Sequence, residues 1–187
     1  MFLGRLKSFF LDITEVVVFA IAIFLFLYLL VLQPHKIKGA SMEPNFHNGE
    51  YLLTDKVTYR FGEPERGDVI VFAAPPDETE DFIKRIIALP GEKMSVHEGF
   101  VFINGQRLNE IYLPNGLITE SGDFFKDGRE IDVPQEHFVV LGDNRLFSSD
   151  SRSWGFITRD EIKGRAWIVY WPFSEAGLIK ESVYSFN

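Results

Sequence analysis

Seventeen consecutive residues without a charge, Val16 to Leu32, constrain this chain more than any other feature of its sequence. As an α-helix they span roughly 25 Å. With Ile13, Thr14 and Gln33 alongside, the stretch approaches the ~30 Å hydrocarbon core of a bilayer. In hydrocarbon every backbone N–H and C=O needs a partner inside the segment, and a helix supplies one. A helix on the surface of a soluble core would keep a polar face, whereas this one is apolar all round. A cleaved export signal would need a small-x-small site, but Ala40, the nearby small residue, has Lys38 two positions before it. The expectation is an uncleaved transmembrane helix over 15–33, preceded by a short segment, 1–14. Arg5 and Lys7 precede the helix and Lys36 and Lys38 follow it, so only the N-terminal amine tips the orientation toward N-terminus inside.

Charge is uneven along the chain. Residues 1–38 carry those four bases against Asp12 and Glu15. Of the chain's 19 basic and 27 acidic residues, 15 and 25 therefore lie in the remainder, a net of −10. So acidic a body lacks the dense positive face that nucleic acid requires. The bases flanking the apolar run suit anionic lipid headgroups. Cysteine is absent, which excludes disulfides and thiolate metal sites.

Beyond Pro34 the pattern becomes one of short strands divided by turn signals. Strands are expected at Asp68 to Phe72, closed by Ala73-Ala74-Pro75-Pro76, and at Phe82 to Leu89, closed by Pro90-Gly91. Phe100 to Ile103 and Gln106 to Leu108 flank Asn104-Gly105, the signature of a type I′ hairpin. His137 to Leu141 and Arg165 to Trp171 complete the set. No long amphipathic helix follows the apolar run. Residues 109–132, rich in Gly, Asn, Asp and Ser, are expected as a loop or hairpin insertion. The fold class is therefore mainly β: one N-terminal transmembrane helix followed by an antiparallel β-sheet domain over 34–187.

The familiar metal and nucleotide signatures are missing: no HExxH, no GxGxxG, no Walker loop. His35, His47, His97 and His137 show no ligand spacing and read as surface or interface residues. Three blocks carry reactive groups. In Gly39-Ala40-Ser41-Met42-Glu43-Pro44, a serine follows two small residues, as a nucleophile on a tight turn would, though such loops are common. In Asp81-Phe82-Ile83-Lys84-Arg85-Ile86-Ile87-Ala88-Leu89, strand alternation puts Lys84 with Phe82, Ile86 and Ala88, and Arg85 with Ile83 and Ile87. A lysine on an apolar face either snorkels to water or is desolvated into a weaker, neutral base. The run from Gly142 to Gly155 is dense in polar side chains. It is either a solvated turn or a set of groups that orient a catalytic pair.

In this order, the blocks resemble the conserved boxes of bacterial type I signal peptidases. Ser41-Met42-Glu43-Pro44 looks like the nucleophile box, and Gly67-Asp68-Val69-Ile70-Val71-Phe72 like the strand box after it. Phe82-Ile83-Lys84-Arg85, on to Leu89-Pro90-Gly91-Glu92, looks like the lysine box. Gly142-Asp143-Asn144-Arg145 with Ser148, Asp150-Ser151-Arg152 and Trp154-Gly155 looks like the last. Together with the apolar helix, the likeness covers about 15 to 173.

The resemblance implies a membrane-anchored serine endopeptidase that removes signal peptides by a Ser/Lys dyad and needs no cofactor or metal. Ser41 would attack the scissile carbonyl, Lys84 would take its proton, and the Ser41 backbone N–H would stabilise the oxyanion. Ser148 would hydrogen-bond the lysine amine, while Asp150 and Arg152 would pair and brace their loop. Implied partners are preproteins, cut after a small-x-small motif, and the lipid bilayer. Nucleic acid is not among them, and the chain is expected as a monomer. The catalytic domain, 34–187, would lie on the extracytoplasmic side of the cell membrane. Ser41 is nine residues past Leu32, a tether of at most ~30 Å, so nucleophile and membrane-emergent cleavage site would share a plane. Tyr170, Trp171 and Phe173 either seat the domain on headgroups or pack within it.

Four departures stand out. Gly39 stands where some members have a serine that helps the oxyanion. Asn45 replaces a usual threonine, Ala88 a usual glycine, and Leu146-Phe147 a usual polar pair. Three rival readings remain. A Ser–Lys self-cleaving repressor would bring a basic DNA-binding domain, which is missing. A Ser–His signal peptidase would carry His in place of Lys84. A non-catalytic relative would be expected to lose Ser41, Lys84 or Ser148.

Overall fold

The computed structural model describes residues 2–75, 77–180, 182 and 184–186. Helix α1 runs over Phe2–Phe26 and continues as a wider π-type turn over Leu27–Val31. Phe9–Phe26 has a mean hydropathy of 2.4 and no residue buried within the protein, so by length and composition it can cross a membrane. The helix starts earlier than the apolar run suggests and stops sooner. Leu32 and Gln33, expected as its last residues, open strand β1 (Leu32–Lys36) instead. This strand pairs antiparallel with β2 (Tyr51–Asp55), Leu32 facing Asp55 and Lys36 facing Tyr51. The residue before a proline favours extended backbone. Pro34 itself is tolerated because β1 is an edge strand, where a missing N–H breaks no ladder.

The remaining chain is a set of antiparallel strands. A single helical turn, α2 (Thr58–Phe61), leads to β3 (Val69–Ala74) and the long β4 (Asp77–Ala88). Then come β5 (Lys93–His97), β6 (Phe100–Ile103), β7 (Gln106–Glu110), β8 (Ile131–Asp132) and β9 (His137–Leu141). A one-turn α3 (Ser151–Trp154) precedes β10 (Ile157–Thr158), β11 (Ile162–Trp171), β12 (Gly177–Leu178) and β13 (Tyr184–Phe186). The first sheet has the order β1-β2-β11-β3-β4-β9-β10, with β12 beside β11. The second has the order β13-β7-β6-β5-β8. Pro76, part of the expected β3–β4 turn, lies outside the described residues. The β6–β7 hairpin is the expected one: Ile103 faces Gln106, and Asn104 (φ 51°) and Gly105 (φ 77°) are both left-handed, as a type I′ turn demands. The expected insertion, 109–132, starts as the end of β7 and closes on β8.

Three apolar clusters fill the domain, and β4 touches all of them. Ile86 joins Ile70, Phe72, Phe138 and Val140, with Phe82 packed alongside. Ile83 packs on the opposite cluster, with Ile37, Met42, Phe46, Leu52 and Val71. A register shift between Ile86 and Ala88 then breaks the alternation. Ile87 and Ala88 consequently both enter the third cluster, around Met94, Val101 and Leu141. The expected placing of Ala88 on the Phe82/Lys84/Ile86 face is therefore not kept: the bulge turns it away. Met42 is 1% exposed, so the residue after Ser41 is a core plug that pins the Ser41 segment to the sheet.

Candidate active site

The segment after β1 closes into tight turns. Glu43 N donates to Ala40 O at 3.2 Å, and Asn45 N and Phe46 N donate to Met42 O. Gly39 enters this turn with φ 85°, a backbone state that a side chain would strain. Ser41 sits on the turn at the edge of a cleft of about 510 Å³ between residues 34–38, the end of β1 and the segment after it, and residues 79–84 of β4. Ile37, Leu52, Val71 and Ile83 line its apolar side, and Lys84 lines it opposite Ser41.

Lys84 comes from β4 and is 3% exposed. Its Nζ lies 2.7 Å from Ser41 Oγ and 3.0 Å from the Ile83 carbonyl oxygen. It also stands 5.1 Å from the centroid of the Phe82 ring. Burial pulls its pKa from 10.5 down to about 8, against the opposing pull of Asp150 and Asp143. Both carboxylates are already engaged. Arg85, next in the strand and facing the other way, grips Asp143 through Nε at 2.8 Å and Nη2 at 2.5 Å. Arg152 grips Asp150 through Nε and Nη2, both at 2.8 Å. Such two-pronged pairing leaves little free negative charge to hold a third cation. Among the described residues, no carboxylate comes within ion-pair distance of Lys84 Nζ.

The loop after β9 binds these pieces together. Asn144 N donates to Ser41 O at 3.0 Å, and its side-chain Nδ2 donates to Ala40 O at 2.9 Å. Asn45 Nδ2 reaches Asp143 Oδ2 at 2.9 Å. Gly142 is where the loop comes closest: a Cβ there would collide with the Ser41 carbonyl and the Ser148 hydroxyl. Gly142 N in turn donates to Asp150 Oδ2 at 3.1 Å. Arg145, wholly buried, ties the loop to the 109–120 segment through Glu110, Thr119 and the Tyr112 hydroxyl. Arg152 does the same for the next stretch, with its Nη1 on Glu120 O and its carbonyl accepting from Phe124 and Phe125.

The structure thus brings Ser41 and Lys84 into contact and pairs Asp150 with Arg152. Ser148 is near, against Gly142, but its buried Oγ has no hydrogen-bond partner among the described residues, so the expected bond to Lys84 is not formed here. The sequence assigns no role to Asp143, Asn144 or Arg85. Their partners lie 58 to 104 residues away in sequence, which no local pattern could reveal. Among the histidines, His47 is exposed. His35 bridges strands, with Nδ1 2.9 Å from Thr54 Oγ1 and Nε2 3.4 Å from Asp81, and burial lowers its pKa despite that carboxylate. No group of three or more His, Asp or Glu is arranged to hold a metal ion among the described residues.

Comparison with known proteins places the chain in a family. Residues 10–171 match the family pattern described as signal peptidase, peptidase S26. A probable signal peptidase I-2 of Synechocystis is 35% identical over 177 residues, 91% of this chain and 78% of the relative. A signal peptidase IB of Staphylococcus aureus is 35% identical over 156 residues, 78% of this chain and 81% of the relative. A crystal structure of a signal peptidase I from Enterococcus faecalis V583 is 30% identical and aligns with 56% of this chain and 97% of its own, at a TM-score of 0.47. On the extent of the family match and the coverage of these relatives, the chain belongs to the signal peptidase family, peptidase S26, as a serine peptidase of the bacterial signal peptidase I kind.

Proposed function

We propose that Ser41 and Lys84 form the catalytic dyad with which this signal peptidase I cleaves exported preproteins at the membrane surface. The observation that carries the reading is the 2.7 Å contact between Ser41 Oγ and an almost fully buried lysine amine whose pKa has fallen to about 8. As an ammonium, Lys84 donates across that contact; as a neutral amine, it accepts the hydroxyl proton over the same path. The Ser41 oxygen then bonds to the scissile carbonyl carbon, and the carbonyl oxygen takes the negative charge. The Ser41 backbone N–H is the donor assigned to that oxyanion. Collapse breaks the peptide C–N bond, and the Lys84 ammonium returns its proton to the departing amine. Water, deprotonated by the same amine, hydrolyses the acyl-enzyme and restores Ser41. Asp150 and Arg152 act by fixing the loop behind the lysine. Ser148, whose buried hydroxyl packs against Gly142 with no partner among the described residues, is the group we assign to accept a bond from Lys84 when the amine turns from Ser41.

The cleft supports a small-x-small preference. Its apolar side is lined by Ile37, Leu52, Val71 and Ile83, core residues that offer small apolar substrate side chains a matching surface. In this reading the N-terminal helix provides the single membrane span, with Phe9–Phe26 as its most apolar part, the N-terminus lies in the cytoplasm, and the strands from Leu32 onward form a monomeric extracytoplasmic catalytic domain. Trp171 and Phe173, 48% and 79% exposed and in edge-to-face contact, suit a resting place among lipid headgroups. If that topology holds, protease added to intact spheroplasts digests the 34–187 domain; a protected domain would contradict both location and substrate class.

The dyad is tested on the full chain in detergent with a signal-bearing preprotein, the cut mapped by mass spectrometry. Ser41→Ala and Lys84→Ala should each abolish processing, and the double variant should lose nothing more, because groups that act as a unit do not add. The wild-type cut should follow a small residue with another small residue two positions earlier. Retention of more than a few percent of the rate in Lys84→Ala would point to another base. Efficient cutting after Phe or Leu would remove the specificity.

The same burial makes Lys84 a liability for stability. The unfolded chain binds its lysine proton up to pH 10.5, the folded one only to about 8. The destabilisation is therefore full below pH 8 and fades as pH rises toward 10.5. Lys84→Met keeps the apolar volume and removes the ionisable group. It should be inactive yet more stable than wild type at pH 7, by on the order of 2 kcal/mol, with the gap closing toward pH 10. Urea unfolding in detergent, followed through Trp154, Trp167 and Trp171, measures the difference. A variant less stable than wild type at pH 7 would make Lys84 a charged structural partner instead of a base.

A further inference from the structure

We infer that Asn144 is a positioning residue that sets the orientation of the oxyanion-binding N–H of Ser41, an inference that rests on the dyad reading above. Asn144 holds the nucleophile residue from both sides. Its backbone N–H donates to the Ser41 carbonyl at 3.0 Å, and its side-chain amide donates to the Ala40 carbonyl at 2.9 Å. The second bond is the informative one. The Ala40 carbonyl and the Ser41 N–H belong to one planar trans peptide unit, in which C=O and N–H point in opposite directions. Whatever fixes the oxygen therefore fixes the hydrogen. Held by Asn144 on the loop side and by Glu43 N within the turn, the Ala40 oxygen faces the interior of the turn, and the Ser41 N–H is left facing outward.

Three further contacts make the clamp rigid. Met42, 1% exposed, anchors the turn from the core side. Gly142 lets the loop backbone approach the Ser41 carbonyl more closely than any side chain would permit. Asp143, between Gly142 and Asn144, is held by Arg85, the neighbour of Lys84 in β4. The loop that aims the oxyanion donor is thus fastened to the strand that carries the base.

The test uses the full chain in detergent. Asn144→Ala deletes the bond to the Ala40 carbonyl and keeps the backbone bond to Ser41. It should lower kcat about 10- to 100-fold, up to the lower end of the loss seen when an oxyanion donor is removed outright, with KM within about twofold. Because a neutral group has been replaced by a neutral one, the acid limb of the kcat/KM profile should stay where it is in wild type. Binding of a peptide aldehyde, which forms a tetrahedral adduct on Ser41, should weaken by the same factor as kcat/KM. Asn144→Asp keeps the shape but sets an acceptor against the Ala40 oxygen, and should lose at least as much. A kcat within twofold of wild type in Asn144→Ala would overturn the inference. So would a rise in KM that accounts for the loss, or aldehyde binding that stays unchanged while kcat falls. Failure of both variants to fold would likewise overturn it, by making Asn144 a structural residue. Ser41→Ala is the control: its survival as an active enzyme would remove the dyad reading itself, whereas a dead Ser41→Ala beside a fully active Asn144→Ala would remove only this inference.

Discussion

Everything in the site follows from burying one ammonium group without giving it a counter-ion. Removing a charge from water is costly, and a protein meets the cost by pairing the charge or by letting it neutralise. Here pairing has been taken away. The two carboxylates nearest Lys84 in effect, Asp143 and Asp150, each lie under a two-pronged arginine. They oppose the fall in the lysine pKa, but desolvation outweighs them. What is left is an amine with two weak partners, the Ser41 hydroxyl and the Ile83 carbonyl. The arginines therefore contribute to the depressed lysine pKa by keeping both carboxylates occupied.

A single strand delivers this arrangement. In β4 successive side chains point to opposite faces. Lys84 reaches Ser41 in the cleft, while Arg85 turns inward to Asp143. Asp143 carries Asn144, and Asn144 returns to the carbonyls on either side of the Ser41 amide. Lys84, the Ser41 hydroxyl and the Ser41 backbone are closed into one ring of contacts across three distant chain segments. Breaking the ring anywhere should move the same reactive pair, so distant substitutions in this loop should behave alike.

The sequence made some of this legible and hid the rest for physical reasons. Strands with apolar alternation and clear turn residues could be read directly: His137–Leu141 matches β9 in full, and Asn104-Gly105 forms its type I′ turn. Strand β5, Lys-Met-Ser-Val-His, does alternate polar and apolar residues, but it is only five residues long and holds a single β-branched side chain, too weak a signal to stand out. Leu32 and Gln33 looked helical by composition, but pairing with β2 outweighed local preference. Ser41 and Lys84 stood out because reactive residue types sat in apolar or tight-turn settings. Asn144 did not, because an asparagine in a polar loop looks the same whether it faces water or a backbone 104 residues away. Ser148 shows the reverse: a role was expected from the resemblance, and its hydroxyl is present, buried and unpaired.

The central claim is that Lys84 is a neutralisable amine, and its titration can be observed directly. In the full chain in detergent, with lysine labelled at Cε with carbon-13, the signal that disappears in Lys84→Met identifies this residue. Its chemical shift should titrate with a midpoint near 8. A midpoint at the ordinary lysine value of 10.5 would leave Lys84 charged at neutral pH and contradict the account.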